Sequence, residues 1–376
     1  MPNKSSVADV LQLIRESGPL SRTDLARLSG LAASTVSLRV EELVRSGLVE
    51  EVGDGESRGG RRPRLLRASG GGGVALAADL GTHHARLAVV DLAGNLVADG
   101  EVEVTFGDGP AAVLEDVSSR LLELSEGRRV LGVGMGLPGP VDVATGQIVS
   151  PSRMPGWHGL RVRDWLTERF GVPAVVDNDA NLLALGEYRT RWMHSGVQHL
   201  VAVKAGRGIG CGIIAGGAVY HGANGAAGDI SHVMVAGAPP EAMVCGCGRR
   251  GCLETVASGA VLLSSLGLDS VTELVAQVYR GDAAANQVVR GAGKYLGEVL
   301  AVVVNFFNPQ VLVIGGSLAA AADPLIASLR AAIYERCLPM ASEAVTITTA
   351  TDGVEAGVTG AAWLILDHLA EVATGL

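Results

Sequence analysis

Three cysteines crowd into eight residues of this sequence, at Cys245, Cys247 and Cys252, and His232 lies thirteen residues upstream of the first. Three thiolates and one imidazole complete the tetrahedral coordination that zinc prefers in structural sites. The cysteines are too close in sequence for an ordinary disulfide framework, so in a reducing compartment the pattern indicates a metal. We predict a structural Zn²⁺ site, with a group of reduced core cysteines as the alternative.

A polar segment, Asp-Asn-Asp-Ala-Asn at 177–181, follows the apolar run 173–176. Open α/β sheets present ligand groups where a strand ends and a helix follows. We expect that helix to begin near Leu182. Asn178 and Asp179 are therefore candidate ligand-binding residues, and a helix cap with no further role is the alternative.

Glycine turns follow three predicted strands. They contain Asp79, Gly81 and Thr82 in the first, Gly206 and Gly208 in the second, and Gly315 and Gly316 in the third. A backbone that approaches phosphate closely needs such turns. Three of them in one chain indicate a nucleotide site more strongly than one does.

The elements around these residues predict a duplicated architecture. With 376 residues, 48% of them hydrophobic and 18% charged, the chain can bury a large core in more than one domain. A strand, turn and strand pattern begins at residue 74 and recurs from residue 199. Two such units, each followed by alternating strands and helices, predict an α/β fold with a cleft between two lobes.

The first 69 residues predict a winged helix-turn-helix. Ser21 and Ser34 are expected to cap the second and third helices, and Gly30 to end the second. Val36, Val40, Leu43 and Val44 are expected to form the core stripe of the third helix, before a two-stranded wing. The glycines at 70–73 predict a hinge to the next domain.

Charge divides the chain in the same way. Residues 1–67 carry 11 Lys and Arg against 9 Asp and Glu, whereas the remainder carries 19 against 30. A basic head on an acidic body argues against a protein that coats nucleic acid over its whole surface. The sequence lacks a run of eighteen uncharged apolar residues and a secretory pattern at its start, so we expect a cytoplasmic protein without a membrane segment.

In this order the motifs resemble the ROK family, which groups repressors, open reading frames and sugar kinases. The resemblance runs over nearly the whole chain, through segments 79–82, 134–142, 178–181, 225–232 and 245–254. It implies an actin-like ATPase fold of hexokinase type, also described as ribonuclease H-like, with a sugar between the lobes. The expected domains are a DNA-binding head at 1–69, a hinge at 70–73, a small lobe at 74–184 plus 356–376, and a large lobe at 185–355.

The resemblance also implies roles for five residues of a sugar site. Asn178 and Asp179 match sugar hydroxyl ligands of the family, and Asp179 matches the catalytic general base of its kinase members. His232 matches a residue that binds both zinc and sugar, and Glu254 matches a second acidic sugar ligand. Asp229 stands where the family usually has Glu.

The phosphate side departs from the pattern of the kinase members. These usually have a second glycine where this chain has Thr82, and a threonine between the glycines of the second turn where it has Arg207. A guanidinium can fill the phosphate pocket or pair with phosphate. These departures argue against ATP turnover.

Within the family, an N-terminal helix-turn-helix marks the regulators, and segments 21–26, 35–37 and 59–63 resemble their DNA-binding parts. Polar residues early in the third helix are expected to face base edges or phosphates, because its apolar stripe faces the core. The candidate DNA-binding residues are Arg22, Ser34, Thr35, Ser37, Arg39, Arg61 and Arg62. The alternative is a solvated basic hairpin behind a three-helix cap.

The sequence therefore predicts a sugar-responsive transcription repressor. Its expected partners are operator DNA, a monosaccharide or sugar phosphate, and further copies of itself in a homodimer or homotetramer. A ligand in the cleft would shift the population between two lobe arrangements and change the spacing of paired heads. The alternatives are an ATP-dependent sugar kinase with a helical appendage, and a metal-stabilised sugar-binding protein that does not touch DNA.

Overall fold

The computed structural model describes residues 7–54, 62–149, 154–239, 243–321, 323–350 and 355–374. Its N-terminal head consists of α1 (Val7–Ser17), β1 (Leu20–Ser21), α2 (Arg22–Ser29), α3 (Ala33–Arg45), β2 (Val49–Asp54) and β3 (Arg64–Ala68). Strand β3 pairs antiparallel with both β1 and β2. This is the predicted winged helix-turn-helix.

Local capping explains where the head helices begin and end. Ser21 accepts a hydrogen bond from the Asp24 amide in a reciprocal capping box, and Gly30 ends α2 in the left-handed conformation, as predicted. The prediction for Ser34 was wrong, since α3 begins at Ala33 and its N-cap residue forms no side-chain hydrogen bond. Val44 was also misplaced, because it is 38% exposed.

The next unit is a five-stranded sheet. Its elements are β4 (Val74–Leu80), β5 (His84–Asp91), β6 (Leu96–Glu103), α4 (Pro110–Ser125), β7 (Val130–Leu137), β8 (Val141–Asp142), β9 (Gln147–Ile148), α5 (Val162–Phe170), β10 (Ala174–Asn178) and α6 (Asp179–Glu187). The strand order is β10-β7-β4-β5-β6. Strands β4, β5 and β6 form an antiparallel meander, and β7 and β10 add parallel strands.

A second sheet repeats this plan. A π-helical turn (Tyr188–Trp192) leads to β11 (His199–Ala205), β12 (Ile209–Ala215), β13 (Ala218–Val219), α7 (Glu254–Ala257), α8 (Gly259–Leu266), α9 (Val271–Tyr279), α10 (Ala283–Phe307), β14 (Val311–Gly315), α11 (Asp323–Arg336), α12 (Pro339–Ser342), β15 (Thr346–Thr349) and α13 (Glu355–Thr374). Its strand order is β13-β12-β11-β14-β15. The first sheet, read as β6-β5-β4-β7-β10, matches the second, β13-β12-β11-β14-β15, strand for strand. This match agrees with the predicted duplication.

Helices α6 and α13 lie between the two sheets. Helix α6 packs on β11 and β12, and α13 packs on β4 and β7. The helices approach closely at glycines, since a Cβ on Gly186 would overlap the backbone oxygen of Ala356 and one on Gly360 would overlap that of Leu182. Side chains at the ends of β4 and β11 meet the first residue of α6, since Lys204 contacts both Asp79 and Asp179.

The head packs directly against this body. Val10, Leu11 and Ile14 of α1 are fully buried in one apolar cluster with Leu366 and Ala370 of α13. Burying each such side chain contributes about 1.5–3 kcal/mol. The glycine segment 70–73 is thus accompanied by a second, apolar connection between head and body.

Among the described residues, no single helix is both long and apolar enough to cross a bilayer. By length and composition alone, one pair bent by 69°, Gly259–Leu266 with Val271–Tyr279, meets the same test.

Candidate functional site

The polar segment 177–181 joins the end of β10 to the start of α6. Helix α6 begins at Asp179 and not near Leu182, because Asn178 caps it by accepting a hydrogen bond from the Ala180 amide at 2.9 Å. The Asn178 side-chain amide also donates to the Gly139 carbonyl at 2.9 Å. Asn178 therefore caps the helix, while Asp179 stands in its first turn, where a negative charge is favourable.

Asp179 forms an ion pair that links the two sheets. Lys204 of β11 places its Nζ 2.9 Å from Asp179 Oδ2 and 3.2 Å from Oδ2 of Asp79 in β4. Burial alone would lower the pKa of Lys204, but the carboxylates of Asp179 and Asp79 outweigh it, so the pKa lies above its usual value. Lys204 is therefore charged at neutral pH, and it was not among the predicted site residues.

A second contact links β10 of the first sheet to the segment that follows β13 of the second sheet. His221, which follows β13, lies with Nε2 2.6 Å from Oδ2 of Asp177. The Asp177 side chain is 1% exposed and also accepts hydrogen bonds from the Asn178 amide and the Asn181 side chain. The hydrogen bond to Asp177 raises the pKa of His221. Asp177 lies within the polar segment noted in the sequence, but no sequence pattern indicated His221.

The predicted metal ligands form one cluster. The donor atoms of His232, Cys245, Cys247 and Cys252 all lie within 4.8 Å of one another. His232 Nδ1 is 3.4 Å from Cys245 Sγ, and the sulfurs of Cys247 and Cys252 are 3.6 Å apart. Zn–S bonds of about 2.3 Å in a tetrahedron place two sulfurs about 3.8 Å apart. The donor set and its spacing therefore fit a metal ion with tetrahedral coordination.

The backbone around this cluster also positions the acidic candidates. Segments 233–235 and 251–253 are hydrogen-bonded to each other, and the Glu254 amide donates to the Ser231 carbonyl at 2.9 Å. The Glu254 carboxylate accepts a hydrogen bond from the Ile209 amide at 3.0 Å, at the start of β12. Asp229 is exposed and accepts a hydrogen bond from the Ser231 hydroxyl. The segment that holds the cysteines, residues 231–254 and here called the metal loop, is thus hydrogen-bonded through Glu254 to β12, the strand that follows the second glycine turn.

The predicted nucleotide-binding glycines form tight turns at strand ends. The Gly81 amide donates to the His84 carbonyl, and the Gly206 amide donates to the Gly208 carbonyl. Thr82 is partly exposed in the first turn. Gly316 has a φ of +84°, and a Cβ there would overlap the backbone of Ala205. Gly315 is buried against α6, where a Cβ would lie 2.9 Å from Leu183.

The candidate DNA-binding residues lie on the head. Ser34 is exposed at the start of α3, and Thr35, Ser37 and Arg39 are partly exposed on the same helix. Arg39 pairs with Glu42 at 3.8 Å, and Arg22 pairs with Glu51 of the wing strand at 3.1 Å. Arg62 is exposed, and Arg61 lies outside the described residues. Leu38, which the sequence did not single out, is 67% exposed on α3.

Comparisons with known proteins agree with this architecture. The ROK family profile matches residues 75–368, and a profile described as winged helix-turn-helix DNA-binding matches residues 9–50. The N-acetylglucosamine repressor of Escherichia coli O157:H7 is 30% identical over 360 residues, which cover 88% of this chain and 85% of that protein. A glucokinase of Halalkalibacterium halodurans is 32% identical and covers 76% of this chain and 93% of its own length.

A solved structure matches the head and the body together. It is a ROK family transcriptional regulator described as a homologue of the E. coli MLC protein, with a TM-score of 0.81 and 26% sequence identity. The match covers 99% of this chain and 98% of that one. The family profile, the repressor and this structure lead to one conclusion: the chain is a member of the ROK family with an N-terminal winged helix-turn-helix.

Proposed function

We propose that this protein is a sugar-responsive transcription repressor that binds operator DNA through its head and a monosaccharide or sugar phosphate in its cleft. In this proposal residues 1–69 are the DNA-binding domain, 70–73 connect it, and the two lobes, 74–184 plus 356–376 and 185–355, are the sensor. The resemblance to an N-acetylglucosamine repressor and to a ROK regulator structure supports the class.

One observation carries the proposal: a continuous helical segment starts at the candidate sugar site and contacts α13, which in turn packs against the head. Helix α6 begins at Asp179 and passes without interruption into the π-helical turn that contains Arg189. Arg189 contacts Asp367 of α13, and Asp367 lies 4.0 Å from Arg15 of α1. A shift at the start of α6 can therefore reach the head through contacts of rigid elements.

We assign the effector site to the residues around the start of α6 and the metal loop. The proposed ligands are Asn178, Asp179, Asp229, His232 and Glu254. Sugar hydroxyls are recognised by carboxylates, amides and imidazole, which supply acceptors and donors in fixed directions. The Asp177–His221 pair lies beside this group and adds a donor oriented by a buried carboxylate.

The metal in this proposal is a structural Zn²⁺ held by His232 and the three cysteines. Zinc with four protein ligands leaves no open position, so it would stabilise the loop and fix the imidazole of His232. Burial raises the pKa of the Cys252 thiol, and a zinc ion that binds its sulfur would displace the proton.

The head would read DNA with α3 in the major groove. Ser34, Thr35, Ser37 and Arg39 would face bases and phosphates there, and Arg22, Arg61 and Arg62 would contact the backbone or the minor groove. Symmetric operators imply paired heads, so we also propose a homodimer or homotetramer. Apolar side chains near the end of α10 and at the start of α12 remain open to a second copy: Val302, Phe306, Leu338 and Met340 are 66%, 92%, 70% and 84% exposed.

Selection of bound sequences from a pool of random DNA duplexes tests the DNA-binding claim. We expect enrichment of a palindrome with half-sites one helical turn or a multiple apart. A thermal-shift screen of monosaccharides and their phosphates then identifies the effector, because a ligand that binds the folded state raises its melting temperature. Failure to enrich any sequence would support the DNA-independent sugar-binding alternative, and rapid ADP formation with a hexose would support the kinase.

A further inference from the structure

We propose that Lys204 is a built-in counterion that occupies the position of a divalent cation between Asp79 and Asp179, so that the cleft binds a hydroxylated ligand without nucleotide or divalent metal. The inference rests on the proposed function, because it concerns the same cleft. Lys204 is then the residue that distinguishes this cleft from the cleft of a kinase, where a divalent cation assists phosphoryl transfer.

The geometry places one ammonium between two carboxylates that come from different sheets. Lys204 Nζ lies 2.9 Å from Asp179 and 3.2 Å from Asp79, and the side chains are 22%, 13% and 8% exposed respectively. The backbone encloses the Asp79 carboxylate, since a Cβ on Gly136 would lie 2.7 Å from Oδ1 and one on Gly357 would overlap Oδ2. Asp79 Oδ1 is buried and has no hydrogen-bond partner. This pair of carboxylates is thus fixed in position and needs a positive charge between them.

Phosphoryl transfer from ATP requires a divalent cation near the phosphates and a base that can accept the hydroxyl proton. A cation at these carboxylates would stand beside the ammonium of Lys204, which repels it. Protonation of Asp179 would leave Lys204 with Asp79 as its nearest counter-charge in a largely buried site, which is costly. Lys204 therefore disfavours both the binding of a divalent cation and the transfer of a proton to Asp179. Asp179 remains available to accept hydrogen bonds from ligand hydroxyls.

The choice of lysine fits this role. The sequence contains three lysines among its 30 Lys and Arg residues, and one of them is placed here. A lysine ammonium is a compact charge that can lie between two carboxylates, whereas arginine donors point in a fixed planar fork. Its third N–H remains for a ligand oxygen, so a hydroxyl can bridge Lys204 and Asp179.

Removal of the ammonium should convert the carboxylate pair into a cation site. The experiment uses the full-length, zinc-loaded protein and Mn²⁺ alone as the probe, with free Mn²⁺ measured by electron paramagnetic resonance. We expect no cleft binding in the wild type, and in Lys204→Met one additional Mn²⁺ bound at least about tenfold more tightly than any wild-type site. Lys294→Met, on the exposed surface of α10, is the matched control and should behave as the wild type.

The double variant Lys204→Met/Asp79→Asn locates the new site, since it should lose the added Mn²⁺. Tight Mn²⁺ binding by the wild type that Asp79→Asn abolishes would overturn the proposal, and so would a folded Lys204→Met protein without added binding. If Lys204→Met does not fold, Lys204→Gln and the wild-type titration decide the question. Neither DNA nor sugar enters this measurement, so its failure would leave the repressor proposal to be tested separately.

Discussion

The guanidinium of Arg189 lies 2.5 Å from the carboxylate of Asp367. It also stacks 5.3 Å from the ring centre of Trp363, which lies in the same helix as Asp367. Arg189 belongs to the continuation of α6, and Asp367 belongs to α13. On the other side of Asp367, Arg15 of the head is 1% exposed and donates to the Leu92 carbonyl at 2.9 Å. This contact therefore joins three separate elements: the continuation of α6, helix α13 and the head.

Asp367→Asn should weaken both stability and coupling. Loss of the charge leaves two arginines without their counter-charge, and we expect a decrease of about 2 kcal/mol in the free energy of unfolding, below the ~3–5 kcal/mol of a fully buried pair. Asp367 is itself 33% exposed, which reduces the cost. Urea denaturation gives the stability, and operator titration with and without sugar gives the coupling.

His368→Asn, one residue along α13 and more exposed, is the control for changes in the helix itself. If sugar changed the operator affinity of Asp367→Asn as much as that of His368→Asn, Asp367 would not connect α6 to the head.

Cys252→Ser should release the metal and destabilise the protein. We expect one zinc per chain in the wild type, close to none in the variant, and a melting temperature lower by about 5 °C or more, because metal binding contributes directly to folding. Elemental analysis and calorimetry measure the two effects. Cys337→Ser, at a cysteine outside the cluster, should keep its zinc. Wild-type protein that purifies without zinc would contradict the assignment.

The Asp177–His221 pair should make stability depend on pH. The pKa of His221 is raised in the folded protein by its hydrogen bond to Asp177. The resulting stabilisation is complete below the unfolded value of about 6.5 and is lost as the pH rises through the folded pKa. The difference in melting temperature between the wild type and His221→Asn should thus be greatest near pH 6 and decline toward pH 9. His194→Asn, at an exposed histidine, should show no such trend, and a difference that grows with pH would exclude the charged pair.

Phe306→Asp should change the oligomeric state. Phe306 is 92% exposed on α10, and the neighbouring elements α10 and α11 are linked where Asn305 donates to the Arg336 carbonyl. A charge in the centre of an apolar interface prevents its burial, so light scattering should give a smaller mass for the variant. Leu96→Asp, at a 61% exposed residue of β6, should keep the wild-type mass. Equal masses for all three proteins would place the interface elsewhere.

The features that the sequence predicted well depend on short stretches of chain. The cysteine cluster, the Ser21 cap of α2 and the repeated sheet could be predicted because spacing and cap chemistry act over a few residues. The start of α6 was misjudged by three residues, because Asn178 can either end a strand or cap a helix and the pattern alone does not distinguish the two.

The features that the sequence did not reveal depend on the packing of distant elements. Lys204 and Asp79 are 125 residues apart, His221 and Asp177 are 44 apart, and Arg15 reaches the Leu366 carbonyl across 351. Lys204, His221 and Arg15 appear in the sequence as ordinary basic residues. Only the relative position of the two sheets and of α13 brings the partners together, and no local pattern encodes that position.

A ligand at Asp179 should change how tightly the head binds DNA. Fluorescence anisotropy with the selected operator, at fixed salt and saturating effector sugar, tests it in the wild type and in Asp179→Asn. We expect the sugar to change the operator Kd of the wild type by about tenfold or more, a coupling of ~1.4 kcal/mol, and to leave that of Asp179→Asn unchanged while both bind the operator equally without sugar. An operator Kd that the sugar leaves unaltered in the wild type, or alters as strongly in Asp179→Asn, would contradict it.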